Sequence, residues 1–321
     1  MQDVKISNLE IFFDCFDESN NFLYEKFHKR YFELIEMTAN NILASEVLTE
    51  FDDPNDEKEL QKIYDKLKGV EFSCEDVRKA MQSIILRGFK QERIPNGMTT
   101  PDTLGIFISY LITKITKEKE LSILDPLCGV GNLLLTVSNH LDKDLKLFAC
   151  DHDLWMAKLT KITADLLSTD VEILLQDTLS LALSNMDFII YDIPHTEYEK
   201  DKPYFPYESM LKYKDMLKEG GSIIAILEND FFSYDSNQEF KKELLKDTSI
   251  LGLVELPDEM FKATKPKIIV VLQKIKVEDK CFMVKLPSFT DVSAFNESLI
   301  EIEAWFEKYN KNKEKSIKEN N

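Results

Sequence analysis

The stretch Leu121-Ser122-Ile123-Leu124-Asp125-Pro126-Leu127-Cys128-Gly129-Val130-Gly131-Asn132-Leu133 decides how the rest of the chain is read. Residues 121–125 form a short apolar run that closes on an acid, the pattern of a buried strand. Gly129 and Gly131 follow in a tight loop, and residues 132–141 continue with helical periodicity. Residues without a Cβ let the backbone turn sharply and lie against a ligand. A loop built for a pyrophosphate would carry a third glycine, in the pattern G-x-G-x-x-G, and Leu134 stands there instead. Nor does the chain contain G-x-x-x-x-G-K-[ST]. The loop is better suited to a sulfonium amino acid joined to a nucleoside.

Working outward, short apolar runs alternate with helical stretches. Residues 145–151, 171–176, 188–192, 222–227, 250–255 and 268–274 read as further strands. Residues 104–115, 154–167, 205–217 and 240–246 read as helices between them. This alternation predicts a mostly parallel sheet with helices on both faces. In such sheets ligands sit beyond the carboxyl ends of the strands, at the topological switch point. Acids stand at the expected places. Asp151 ends the second strand and is placed to accept ribose hydroxyls, with Asp153 as fallback or as a helix cap. Asp177 ends the third and suits an adenine amino group, or a turn cap. Asp192-Ile193-Pro194-His195 closes the fourth.

With these motifs the chain resembles the N6-adenine DNA methyltransferase family, especially the modification subunits of type I restriction systems and their small stand-alone bacterial relatives. Asp125 to Gly131 is similar to the family's cofactor loop, Cys128 included. Gly97-Met98-Thr99-Thr100-Pro101-Asp102 matches its upstream Thr-Pro motif, and Leu256-Pro257 with Phe261 its late segment. The resemblance covers about residues 97–274. It implies an α/β class I S-adenosylmethionine-dependent fold, Rossmann-like, with a mostly parallel seven-stranded sheet. It implies S-adenosylmethionine held by Thr100, Pro101, Asp125, Pro126, Cys128, Gly129, Gly131, Asn132, Asp151 and Asp177. It also implies catalysis by Asp192, Ile193, Pro194 and His195. In the family motif the first side chain and the next residue's carbonyl accept the target amino group, and an aromatic ring stacks on the flipped base. Here Ile193 replaces a proline and His195 the aromatic residue. Tyr198 and Tyr204, interleaved with lysines, are candidates for the missing stacking ring; packing on the sheet edge is the equal alternative.

Residues 1–92 read as helices. Phe22, Phe27, Tyr31, Leu34, Met37 and Ile42 recur at helical spacing, and Ser73 resembles a helix cap. This region is expected to pack on the next domain, or to meet a protein partner. The turn cluster at Pro95, Asn96 and Gly97 marks the junction with a core over 93–276. Residues 277–321 add a strand near 282–285, an amphipathic helix over 292–309 and a Lys/Asn-rich tail expected to fray.

The composition narrows the function further. A net charge of −18 works against tight DNA binding by the chain alone. Five scattered cysteines without CxxC spacing predict neither disulfides nor a metal site. No apolar run is long enough to span a membrane and the N-terminus lacks a signal-peptide pattern, so a cytoplasmic protein is expected. Three functions fit: methylation of a nucleobase amino group, methylation of another substrate, and cofactor binding in a regulatory or assembly role.

Overall fold

The computed structural model describes residues 7–95, 99–200, 202–235, 238–262, 264–276 and 281–319. Four helices come first: α1 (Asn8–Phe27), α2 (Tyr31–Ala44), α3 (Pro54–Tyr64) and α4 (Cys74–Glu92). Ser7 and Ser73 cap α1 and α4 in reciprocal boxes with Glu10 and Asp76, satisfying backbone donors that a helix start leaves free. The apolar series from Phe22 to Ile42 is shared by two helices, because His28 turns left-handed (φ 49°) and ends α1. The turn cluster expected at Pro95 to Gly97 lies, beyond Pro95, outside the described residues, as do Gly97 and Met98 of the Thr-Pro motif.

The remainder alternates as expected: α5 (Asp102–Ile115), β1 (Glu120–Asp125), α6 (Asn132–Asn139), β2 (Asp144–Asp151), α7 (Leu154–Leu166), β3 (Val171–Leu175), β4 (Met186–Asp192), α8 (Phe205–Met216), β5 (Leu217–Glu228), α9 (Glu239–Leu244), β6 (Ser249–Glu255), β7 (Lys267–Gln273), β8 (Phe282–Lys285) and α10 (Val292–Glu319). The strands form one sheet in the order β3-β2-β1-β4-β5-β7-β6-β8. β3, β2, β1, β4 and β5 are parallel, whereas β7 inserts antiparallel between β5 and β6. The link from β6 to β7, residues 256–266, is too short for a crossover helix, so β7 must reverse. Central strands are buried on both faces: Ile190 packs into one core with Ile123 and Ile224, and Ile189 and Tyr191 into the other with Leu124 and Ile223.

Two expectations are corrected. The sheet has eight strands rather than seven. Gly252 on β6 is paired with Phe282 on β8, and a Cβ at 252 would fall 2.1 Å from that ring. The glycine leaves the slot that seats the ring, which also packs edge-on against Trp305 of α10. The tail is the second correction: α10 continues to Glu319, through residues expected to fray. That segment has no glycine or proline and is rich in lysine and glutamate, which favour helix.

The N-terminal helices pack on the sheet's own helices. Phe32 of α2 meets Trp155 of α7 at 6.0 Å between ring centroids, and Lys158 reaches Glu36 at 2.8 Å. Among the described residues, no helix is long and apolar enough to cross a membrane.

Candidate functional site

β1 and β4 are neighbours, with β2 on one side of the pair and β5 on the other. Their junction is the switch point, where the connections diverge and leave a crevice. Asp125 ends β1 and Asp192 ends β4, so the two acids flank that crevice.

The glycine loop fills the near side. Gly129 and Gly131 have φ of 53° and 76°, conformations that cost other residues free energy. A Cβ on Gly131 would also stand 2.7 Å from Cγ2 of Thr160. Thr160 donates its hydroxyl to the Gly129 carbonyl (2.8 Å), and the Cys128 N–H donates to the Cys150 carbonyl (2.9 Å). Asp151 Oδ2 accepts the Gly129 N–H at 2.9 Å, and its Oδ1 accepts the Asp153 N–H at 2.8 Å. Asp151 is thus a clamp on the loop, with lone pairs left for a ligand. Asp153 caps α7 through the Trp155 and Met156 N–H groups. Asp177 is exposed and caps the short helix Thr178–Ser180, accepting from the Leu179 N–H at 2.9 Å.

Asp125 is 1% exposed and accepts the Leu127 N–H at 3.1 Å. Burial pushes its carboxyl up to about 8, and the nearby Asp151 and Asp192 charges push the same way. Burial likewise raises the thiols of Cys128 and Cys150, which suits packing rather than nucleophilic chemistry. A buried acid whose charged form is opposed by burial and by the Asp151 and Asp192 charges fits a positively charged ligand. A sulfonium amino acid meets that description, and the loop glycines give it room.

The Thr-Pro segment ties this pocket to Asp192. The Thr100 hydroxyl donates to Asp192 Oδ2 at 3.0 Å, while its carbonyl accepts from Asn132 Nδ2 at 2.7 Å. Pro101 occupies the cap position of α5 and is exposed; Pro126 is buried in the loop. Behind them lies Arg78 of α4, 1% exposed. Its guanidinium makes five hydrogen bonds, two to Glu75, two to Asp102 and one to Asn132 Oδ1 at 3.1 Å.

On the far side, the Ile193 N–H donates to the Ile226 carbonyl at 3.1 Å, which extends β4 by one residue and fixes where the Ile193 carbonyl points. Lys267 Nζ pairs with Asp192 Oδ1 at 2.5 Å and donates to the Ile193 carbonyl at 3.3 Å. A single amine nitrogen therefore engages both acceptors named from the sequence. Pro194 is exposed, and the His195 ring is held through Nδ1 by the buried Glu228. Lys265 also binds Glu228, at 3.1 Å, and Asp230 at 2.9 Å.

The two tyrosine candidates separate. Tyr204 is 7% exposed and packs edge-on against Tyr207 and Tyr234. Its burial removes it as a stacking surface. Tyr198 is 42% exposed and stacks on Tyr234 at 4.5 Å with 14° between the planes, which makes it the more accessible of the two rings.

Arg78, Thr160, Glu228 and Lys267 escaped the sequence reading. Arg78 left a trace, since it lies at helical spacing from Met81 and Ile85, a charge on an apolar face. Lys267 left a weaker one, a charge opening an apolar strand straight after Pro266.

Residues 10–89 match the family model of the YtxK N-terminal helical domain, and residues 75–319 match that of the N-6 DNA methylases. YtxK of Bacillus subtilis (strain 168) is 33% identical over 274 residues, covering 78% of this chain and 83% of YtxK. A Listeria monocytogenes structure, provisionally described as a class I S-adenosylmethionine-dependent methyltransferase, superposes with a TM-score of 0.82 at 29% identity. That match covers 93% of this chain and 99% of the Listeria chain. The methyltransferase subunit of a type I restriction-modification system from Streptococcus thermophilus shares the fold, with a TM-score of 0.59 at 14% identity over 92% of this chain and 74% of the subunit.

Proposed function

Because the chain belongs to the N-6 DNA methylase family, we propose that it methylates an amino group of a nucleobase, adenine N6 in DNA being the first candidate. The cofactor is S-adenosylmethionine, which supplies an electrophilic methyl group when bound. Gly129 and Gly131 would lie against it, Asp125 would face its positive charge, and Asp151 and Asp177 would accept from its ribose and adenine with the lone pairs their caps leave free. Pro126, Cys128, Asn132 and Pro101 shape the loop and the segment facing it.

One observation carries the acceptor assignment: Asp192 and the Ile193 carbonyl converge closely enough for one nitrogen, that of Lys267, to touch both. An amino group bound there would give one hydrogen to each oxygen, leaving its lone pair free to attack. Thr100 holds Asp192 in place for this. Tyr198 is the residue we assign to stacking on the base. The acidic net charge makes a DNA-binding partner part of the proposal, and the N-terminal helices are the surface we assign to a protein partner. The division of the chain near residues 92 and 276 and a cytoplasmic location belong to the same proposal.

The test is transfer of labelled methyl to unmethylated DNA, and to RNA and protein pools in parallel. Transfer to DNA that disappears in Asp192→Ala supports the reading; equal transfer by that variant refutes it. A second reading, cofactor binding with a regulatory role and little turnover, is favoured by a histidine, held through Nδ1 by Glu228, standing where the family motif has an aromatic residue. Cofactor binding without transfer to any pool would select it.

A further inference from the structure

We propose that Lys267 is an internal occupant of the position meant for the substrate's amino nitrogen, and that it sets which amines reach Asp192. The inference rests on the acceptor roles of Asp192 and Ile193 proposed above.

Lys267 is the first residue of β7 and pairs in register with Glu228, the last residue of β5. Its backbone is therefore fixed at the edge of the crevice, next to the end of β4. Its side chain is only 16% exposed and points inward, so that Nζ meets Asp192 Oδ1 and the Ile193 carbonyl. Other carboxylates nearby are already engaged. Glu228 is held by His195 and Lys265, and Asp230 by Lys265 and Tyr234. Asp192 is the carboxylate at which Lys267 finds its charge partner.

An ammonium donates stronger hydrogen bonds to a carboxylate than a neutral aromatic amino group does. A substrate must therefore displace a better ligand than itself. The ammonium has no lone pair, so it closes the site without reacting in it. Lys267 thus acts on specificity: weakly held neutral amines are excluded, and only a substrate whose other contacts offset the displacement is admitted.

Two cofactor analogues test this by binding alone. S-adenosylhomocysteine has no group in the methyl position, whereas sinefungin carries a protonated amine there. With Nζ in the position proposed for the substrate nitrogen, that amine would stand against the Lys267 ammonium in the native chain. In Lys267→Met it would be free to take Asp192 and the Ile193 carbonyl. Calorimetry should show sinefungin affinity, relative to that of S-adenosylhomocysteine, rising at least about tenfold in Lys267→Met. The affinity for S-adenosylhomocysteine should stay nearly constant, which also reports that the variant pocket is intact. Lys267→Gln, which keeps a donor but no charge, should show a smaller rise and serves if the methionine variant does not fold. Both analogues binding with an unchanged ratio in the variants would overturn the role of Lys267. Failure of the native chain to bind either analogue would instead overturn the cofactor pocket, and the inference with it.

Discussion

Replacing Arg78 by methionine probes how far the cofactor pocket depends on the N-terminal helices. The guanidinium is 1% exposed, and all five of its N–H donors are used. Removing one partner of a buried charge network costs about 3–5 kcal/mol, because the other partners are left uncompensated. Here the side chains of Glu75 and Asp102 remain 32% and 22% exposed, so water can reach them after the change. Solvent screening lowers the expected loss to about 2–4 kcal/mol. Its pH dependence has a definite sign. Hydrogen bonds from Arg78 are the largest cause holding the Glu75 carboxyl down to about 2. Burial works to raise Asp102, yet bonds from Arg78 and Asn132 keep it below its ordinary value. A carboxyl depressed in the folded state stabilises above the unfolded value, about 4.3 for glutamate, and loses that contribution as pH falls toward its folded value. Denaturant unfolding of the native chain and Arg78→Met should therefore differ by about 2–4 kcal/mol at pH 7, and the gap should shrink between about pH 4.5 and pH 2. A loss below about 1 kcal/mol at neutral pH, or a gap that does not narrow in acid, would refute the network's role.

Asp125, pushed up to about 8 by burial, behaves in the opposite sense: its protonated form stabilises the ligand-free fold fully below about pH 4, and this is lost as pH rises toward about 8. Asp125→Asn should flatten that slope in pH-dependent unfolding, and in the native chain a cationic ligand should bind more tightly as pH rises to about 8. Gly131→Ala meets both a left-handed φ of 76° and a Thr160 methyl at 2.7 Å. It should lower stability by about 1–3 kcal/mol and weaken cofactor binding; Thr160→Ser in addition, which removes the methyl and keeps the hydroxyl bound to the Gly129 carbonyl, should recover part of the stability and none of the φ strain. Phe282→Ala empties the Gly252 slot, so a loss of about 3–5 kcal/mol, with fast hydrogen exchange confined to residues 281–286, is expected.

Much of the fold was legible because its signals are local. Apolar runs closed by Asp125, Asp151 and Asp192 mark strand ends, and Gly129 and Gly131 mark the loop between them. The strand over 282–285 was legible, but its place in the sheet beside β6 and the reversal of β7 were harder to read, since they depend on a ring fitting against Gly252 from thirty residues away in the chain and on a short link. The site divides in the same way. Asp125, Asp192 and Thr100 announced themselves by motif and position. Arg78 and Lys267 act through partners far off in sequence, and only the folded chain shows that Lys267 reaches Asp192. Tyr198 and Tyr204 looked equivalent as neighbours in one aromatic loop; burial against Tyr207 and Tyr234 distinguishes them.

Titration of the chain with S-adenosylmethionine, followed by calorimetry alongside Asp125→Ala, is the most direct test of a pocket formed by the glycine loop and the strand-end carboxylates. The account predicts saturable one-site binding by the native chain, weakened at least about tenfold in the folded variant. A folded native chain that gives no heat, or a variant that binds as tightly, would contradict it.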